Sequence, residues 1–456
     1  MLALSGLLIV IIFMTLIMSK KATPFTALVM SPIVIAGAIH FGGKWGIGPF
    51  AAGEGWDLAK FSLDGIKGVA PTAVMLLFAI LFFGLMISAG LFDPLARFIL
   101  RVVRGDPLKV LVGTAILACI VSVDGDGSTT TMIVCSAMIP VYKKLNMKMM
   151  DLAVLIIMGN SIMNLLPWGG PTARIITALK VDEGELLRRI IPGMLIAVLW
   201  VMVVAFLRGR AERRRLGVVE LSPEEIDALS AGDALGGSEG DNVSLKRPRR
   251  VLVNLALTLC VMVVLIFGGM AGIPKIGSAV IFEVAFALAL LINYSKLADQ
   301  RQIIEEHGAN AMHVITMVLA AGIFMGILNG TKMSEQMGVW LADVVPASLG
   351  GHWALVTALA SIPGTFLLSN DAFYLGVLPV MAQTGAQYGF TDMQIAVAST
   401  AGQAFHLLSP LVGFIYLLLH LTRVDMGAWQ RRSALWSIGT YVIFLVSIAA
   451  FGGVSL

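Results

Sequence analysis

The sequence predicts an all-α polytopic membrane protein made of two inverted-topology repeats, each with a re-entrant helical hairpin and a broken transmembrane helix. Three observations carry this: the composition, the lengths of the apolar runs, and a set of landmarks that recurs in both halves. Of 456 residues, 58% are hydrophobic and 13% charged, and the mean hydropathy is +0.89, far above the range of soluble domains. About 20 helical residues cross a bilayer, whereas each arm of a hairpin that turns midway needs about half as many. Ten apolar runs fit spans, near 2–18, 23–41, 69–92, 151–167, 190–207, 251–272, 276–293, 310–329, 392–420 and 433–452. Two further pairs, 108–123 with 132–142 and 352–368 with 373–384, are each split by a short polar tip and read as hairpins.

Taken in order, the first run lacks a basic n-region and a small-residue cleavage site, so it reads as a retained helix. The second half then repeats the first. FFGLMISAGLFDPLARFIL at 82–100 is echoed by AGIFMGILNGTKMSEQMGVWL at 321–341, a glycine-studded helix entering an amphipathic segment. A hairpin follows in each half, near 108–142 and 352–384, with a proline in its second arm, IPV at 139–141 and LPV at 378–380. Last comes a helix broken at small residues and proline, NLLPWGGP within 151–175 and HLLSPLVG within 392–420. Four landmarks in one order argue against chance likeness.

Charge sets the orientation. Clusters at 20–21, 97–109, 143–148, 208–250, 296–301 and 423–432 hold 23 of the 32 Lys and Arg. With ten spans and two non-crossing hairpins they fall on one side, which the positive-inside rule makes cytoplasmic, with both termini outside. The first hairpin then enters from the cytoplasm and the second from outside. Residues 208–250, the only long hydrophilic break, divide an N-terminal repeat (1–207) from a C-terminal one (251–456) as a solvated cytoplasmic linker, with a small regulatory domain as the alternative. Cys119, Cys135 and Cys260 lie in apolar runs and imply neither disulfide nor metal–thiolate chemistry.

Polar groups at bilayer depth are costly unless they line a site. The first tip, VSVDGDGSTTTM at 121–132, offers Asp124, Asp126, Ser128, Thr129 and Thr130 around two glycines. Carboxylate and hydroxyl oxygens suit hard cations, although EF-hand spacing is absent. The second tip, Ser369, Asn370 and Asp371, combines hydrogen-bonding groups with one acid, and would equally cap the second arm. Asn160 and Asn164 share a helical face before the break at Pro167–Pro171, and Ser399, Gln403 and His406 share one before Ser409–Pro410. Inter-helix packing is the plainer alternative for Asn160 and Ser399. Histidine side chains titrate near neutral pH, so His406, at the position matching Asn164, is a candidate proton carrier, against a neutral structural histidine. Asp371 and Glu283 are rival carriers, while His313 and His420 lie nearer helix ends. Arg174 either attracts an anion or anchors the outer interface.

No P-loop, HExxH or nucleophile motif is present, so neither an enzyme nor an ATP-driven pump is expected. A channel is a remote alternative, since re-entrant loops also build filters.

VDGDGSTT, NLLPWGGPTAR, LLSNDAFYLG and HLLSPLVG, in this order and across nearly the whole chain, resemble the citrate-metal:proton symporters, the CitMHS family of the ion transporter superfamily. The resemblance implies uptake of citrate chelated to a divalent cation such as Mg²⁺ or Ca²⁺, driven by protons, with no permanently bound cofactor. Kinship with the divalent-anion:sodium symporters implies an elevator motion against a homodimeric scaffold in the inner (plasma) membrane. The Ser-Asn-Thr tips of those relatives are replaced here by Ser-Asn-Asp in the second hairpin and are absent from the first, which argues against sodium coupling. A symporter of free di- or tricarboxylates, coupled to protons or sodium, is the alternative. A tricarboxylate near −3 is costly in a low-dielectric site, while its complex with a divalent cation carries about −1. Accordingly Asp124, Asp126 and Asp371 are expected to face metal or protons, and Ser128, Thr129, Thr130, Asn160, Asn164, Ser369, Asn370 and Ser409 to hold carboxylates.

Overall fold

The computed structural model describes residues 2–19, 21–45, 55–103, 105–218, 245–268 and 276–454. Among these, all regular structure is helical, and seven helices are long and apolar enough to cross a membrane. In order they are α1 (Leu2–Met18), α2 (Pro24–Lys44), α3 (Leu58–Ser88), α4 (Asp93–Val103), α5 (Pro107–Val121), α6 (Gly127–Lys144), α7 (Met149–Met163), α8 (Gly170–Leu179) and α9 (Glu183–Leu216). The second half contains α10 (Val251–Phe267), α11 (Ser278–Asn293), α12 (Leu297–Gly330), α13 (Met333–Val344), α14 (Trp353–Leu367), α15 (Leu378–Gln387), α16 (Asp392–Ser399), α17 (Gln403–His406), α18 (Gly413–Thr422) and α19 (Met426–Phe451).

The repeat anticipated from the landmarks is present in the order of these elements. In each half a long helix (α3, α12) leads to an amphipathic one (α4, α13), which packs on a hairpin arm, α4 on α5 and α13 on α15. The hairpins α5–α6 and α14–α15 follow, and then the broken helices α7–α8 and α16–α18. The long helices overrun their apolar runs: α12 begins at Leu297 and spans 34 residues, or about 50 Å at 1.5 Å per residue. His313 therefore sits inside α12 rather than near its start, a correction to its placement from hydropathy alone. Apolar content marks only the part of a helix that meets lipid, not where the backbone ladder ends.

Two bodies emerge from the packing. The most extensive helix–helix contact joins α3 to α12, with α2 and α11 alongside and α1 bridging α2 and α13. Glycines permit this crossing. A Cβ on Gly65 would fall on the carbonyl oxygen of Gly322, and one on Gly326 on that of Phe61, so the backbones touch as in small-residue membrane interfaces. The other body gathers α5, α7, α9 and α19 with the second hairpin and broken helix. The repeats also exchange elements across it: α18 packs on α6 of the first hairpin, and α8 on the second hairpin.

The 208–250 stretch is ordered at both edges. Its first residues extend α9, where Arg208 grips Asp151 through two hydrogen bonds of 2.8 and 3.1 Å. Beside them the buried Glu212 accepts from Arg215 and Lys148, and Arg213 lies 3.6 Å from Asp106. At its far edge Lys246 pairs with Asp93 at 2.9 Å, and Arg247 pairs with Asp299 at 3.1 Å while lying over the Tyr294 ring. Residues 219–244, the middle of the expected linker, lie outside the described residues.

The glycine crossing supplies a test. Gly326→Leu forces a side chain into the Phe61 carbonyl, which no rotamer relieves, and should cost about 2 kcal/mol or more, read as a lower melting temperature of the purified protein. Gly308→Ala, on the same helix with open space around it, should hold or raise the melting temperature, because alanine is the better helix former by up to about 1 kcal/mol.

Candidate functional site

Each interruption of a helix in the second body exposes backbone groups that side chains must satisfy. In the first hairpin α5 closes with a 3-10 turn over Ser122–Asp124. Gly125 then turns the chain with φ +81°, a region that favours glycine. Asp124 Oδ1 accepts from the Asp126 amide at 3.0 Å, and Asp126 caps α6, its Oδ2 accepting from the Thr129 amide and hydroxyl at 2.8 and 2.6 Å. Gly127 has no room for a Cβ because the Phe414 ring of α18 lies against it.

The break between α7 and α8 is satisfied in the same way. The Asn164 side chain spans it, Oδ1 accepting from the Gly170 amide at 3.1 Å. The Thr172 hydroxyl donates to Leu165 O at 2.8 Å. The Trp168 indole donates to Val123 O at 2.7 Å, joining the break to the first tip, while its ring stacks on Phe83 of α3 and meets Phe282 of α11 edge-on. Asn160 reaches Ser122 at 3.3 Å and Thr130 at 3.5 Å.

The second half repeats this scheme with different side chains. Ser369 Oγ accepts from the Ala372 amide at 3.1 Å, and a π-helical turn over Ala372–Val377 leads into α15, a feature common at functional sites. Gln403 donates to Asn370 at 3.2 Å and to Tyr374 at 2.8 Å. His406 Nδ1 lies 2.7 Å from Thr365 O, so it donates there as the protonated ring nitrogen. The Ser409 hydroxyl donates to Phe366 O at 2.6 Å.

These elements wall a cavity of about 480 Å³. Asp124, Asp126, Ser128 and Thr129 line it from the first tip, Gly170, Arg174 and Thr177 from α8, and Asp371 from the second tip. The opposite wall comes from the other body: Leu76, Phe83 and Ile87 of α3, with His307, Asn310 and His313 of α12. Its acids are not independent, because Arg174 Nε donates to Asp371 Oδ1 at 2.6 Å and Nη1 to Gly170 O at 2.7 Å. The N-termini of α6 and α8 both open onto this space, and such termini carry partial positive charge that favours anions.

The structure thus brings together Asp124, Asp126, Ser128, Thr129 and Asp371 from the expected ligand set, with Arg174 and His313, also named from the sequence, in the same lining. It places Thr130, Asn160, Asn164, Ser409 and His406 in the buried packing behind the tips, and Ser369 and Asn370 in the second tip beside Asp371. Glu283 is on the exposed face of α11, outside the cavity lining. Among the described residues, no group of three His, Cys, Asp or Glu side chains stands close enough to hold a metal ion. Sequence reasoning missed the contribution of α12. The available signal was the cluster of polar residues His307, Asn310 and His313 leading into an apolar run.

An all-helical membrane protein with paired hairpins and paired broken helices around a central cavity belongs to the class of membrane transporters. Solved structures of that class share the fold. The YdaH transporter of Alcanivorax borkumensis aligns with a TM-score of 0.56 at 16% identity over 85% of this chain and 87% of that one. MtrF of Neisseria gonorrhoeae aligns with 0.58 at 14% over 88% and 85%. The chain matches the citrate transporter family, CitMHS, over residues 9–402, and it belongs to that family. Two Bacillus subtilis relatives align over their full length and that of this chain: one named "Citrate transporter" at 43% identity, and one named "Mg(2+)/citrate complex secondary transporter" at 41%. The protein is a transporter and not an enzyme.

Capping and charge at the first tip are separable. Asp126→Asn keeps an acceptor for the Thr129 amide and should melt within about 0.5 kcal/mol of wild type, whereas Asp126→Ala should lose about 1 kcal/mol. Chemical denaturation of the purified variants reads the difference.

Proposed function

We propose that the protein imports citrate, or a closely similar tricarboxylate, as a complex with a divalent cation, Mg²⁺ or Ca²⁺, in symport with protons. The observation that carries this reading is the mixed character of the cavity. Two helix N-termini and Arg174 favour an anion, while Asp124, Asp126 and Asp371 stand within the same walls. A free tricarboxylate meets three carboxyl groups there against a single guanidinium, and a chelate near −1 meets both a cationic and an anionic partner. The metal is cargo in this reading, brought by the substrate, and the name of the 41% relative supports it.

Movement follows from where the cavity lies. One wall belongs to the α3–α12 body and the other to the hairpins and broken helices, so sliding the second body against the first carries the site across the membrane as an elevator. The α3–α12 body is then the scaffold of a homodimer in the inner membrane. With the 208–250 stretch cytoplasmic, the C-terminal end of α3 and the polar start of α12 lie on the cytoplasmic side, and the cavity faces inward.

Of the three groups named for the proton, Glu283 lies outside the cavity lining and Asp371 is engaged by Arg174, which leaves His406. It sits behind the cavity on Thr365 O, so a proton there acts on the joint between hairpin and broken helix rather than on substrate.

Purified protein in proteoliposomes should accumulate citrate only with Mg²⁺ or Ca²⁺ present and an acidic exterior. Accumulation undiminished in buffer stripped of divalent ions by chelating resin overturns the metal reading and returns the free tricarboxylate in its place. His406→Gln should abolish acid-driven accumulation yet spare citrate counterflow. Unchanged accumulation removes His406 from the mechanism.

A further inference from the structure

Among the described residues the cavity lining contains one salt bridge, and it joins the two repeats. Arg174 projects from α8 of the first repeat and Asp371 from the tip of the second hairpin, 2.6 Å apart with their side chains 23% and 15% exposed. Both line the cavity. The arginine is held independently of its partner, since Nη1 donates to Gly170 O one turn back on its own helix at 2.7 Å. Breaking the bridge therefore leaves the guanidinium in place. The edge it then presents, Nε with Nη2, is the fork that receives a carboxylate through two parallel hydrogen bonds. On the other side, Asp371 uses Oδ1 toward the arginine, and a carboxylate released from it is a hard oxygen ligand for Mg²⁺ or Ca²⁺.

We propose that the Arg174–Asp371 pair is the selectivity element for the metal chelate: the substrate opens it, one of its carboxylates replacing Asp371 on Arg174 while its cation replaces Arg174 on Asp371. This rests on the metal-chelate reading above and deepens it. Opening one half alone is unfavourable, because an ion pair deprived of one partner leaves a poorly solvated charge unpaired. A metal-free carboxylate satisfies Arg174 but strands Asp371 in a cavity that also holds Asp124 and Asp126. A bare cation satisfies Asp371 and strands Arg174. Only a ligand carrying both charges exchanges the bridge without loss. The bridge thus explains selection of a chelate by a site whose described residues form no metal cage. It also makes the substrate replace a direct contact between the repeats, so occupancy is felt at α8 and at the second hairpin.

The test is calorimetric titration of the full-length protein in lipid nanodiscs with Mg–citrate and, separately, with citrate in resin-stripped buffer. Wild type should prefer Mg–citrate. Asp371→Asn should weaken Mg–citrate by about tenfold or more while leaving metal-free citrate equally or more tightly bound, collapsing the preference, and Arg174→Gln should weaken both forms. A bridge that only holds α8 against the hairpin predicts parallel losses for both ligands in Asp371→Asn, and that result overturns the proposal, as does an unaltered preference. Wild type that binds both forms equally overturns instead the metal-chelate reading on which the proposal rests. Should the variants fail to fold, a structure of wild type with Mg–citrate decides. A carboxylate on Arg174 and the cation side facing Asp371 is expected, and an intact bridge beside bound ligand overturns it.

Discussion

The structure depends on one constraint: backbone that leaves a helix inside a membrane protein must find its hydrogen bonds within the protein. Four interruptions face this requirement, the two hairpin tips and the two helix breaks. Each is met by short polar side chains a few residues away: Asp124 and Asp126 in the first tip, Asn164 and Thr172 across the first break. Ser369 serves the second tip, and Ser409 and His406 join the second break to its hairpin. These bonds fix the tips as rigid elements. A cavity walled by rigid tips presents helix N-termini at fixed positions, which a flexible loop does not.

The same constraint explains what was legible in the sequence. Polar groups stand out against an apolar background, so the tips, the breaks and their order were readable from residues 121–132, 164–171, 369–371 and 406–413. Their partners were not. Asn164 and Ser409, whose side chains bond backbone groups, looked like ligand-binding residues because a polar group serving the backbone and one serving a substrate are the same residue types in one dimension. The side of the cavity supplied by α12 was hidden for another reason. His307 sits before the apolar run at 310–329, and Asn310 and His313 in its first turn, where a hydropathy profile starts a helix that the backbone begins at Leu297.

Charge was read correctly in amount and incompletely in arrangement. The basic residues at 208–216 and 246–247 suggested a solvated linker, yet they grip Asp151, Glu212, Asp93 and Asp299. One end of that stretch is fastened to the hairpin-bearing body and the other to the α3–α12 side. Net charge could not reveal this, because a paired cation and a solvated one count alike. Sequence position also could not bring Arg174 to Asp371, nearly 200 residues apart; that meeting follows from the crossing of repeats, in which α8 packs on the opposite hairpin.

That crossing gives the charges in the cavity their meaning. Arg174 belongs to the first repeat and finds its carboxylate in the second, at Asp371. Because the repeats exchange their half-helices, an arginine from one and an aspartate from the other meet, and two of the site's charges pair with each other. The remaining pair, Asp124 and Asp126, each spends one oxygen on its own turn and faces two helix N-termini of opposing sign. A site built this way gives little to an isolated ion of either sign, so a ligand gains most when it carries an anionic and a cationic face at once.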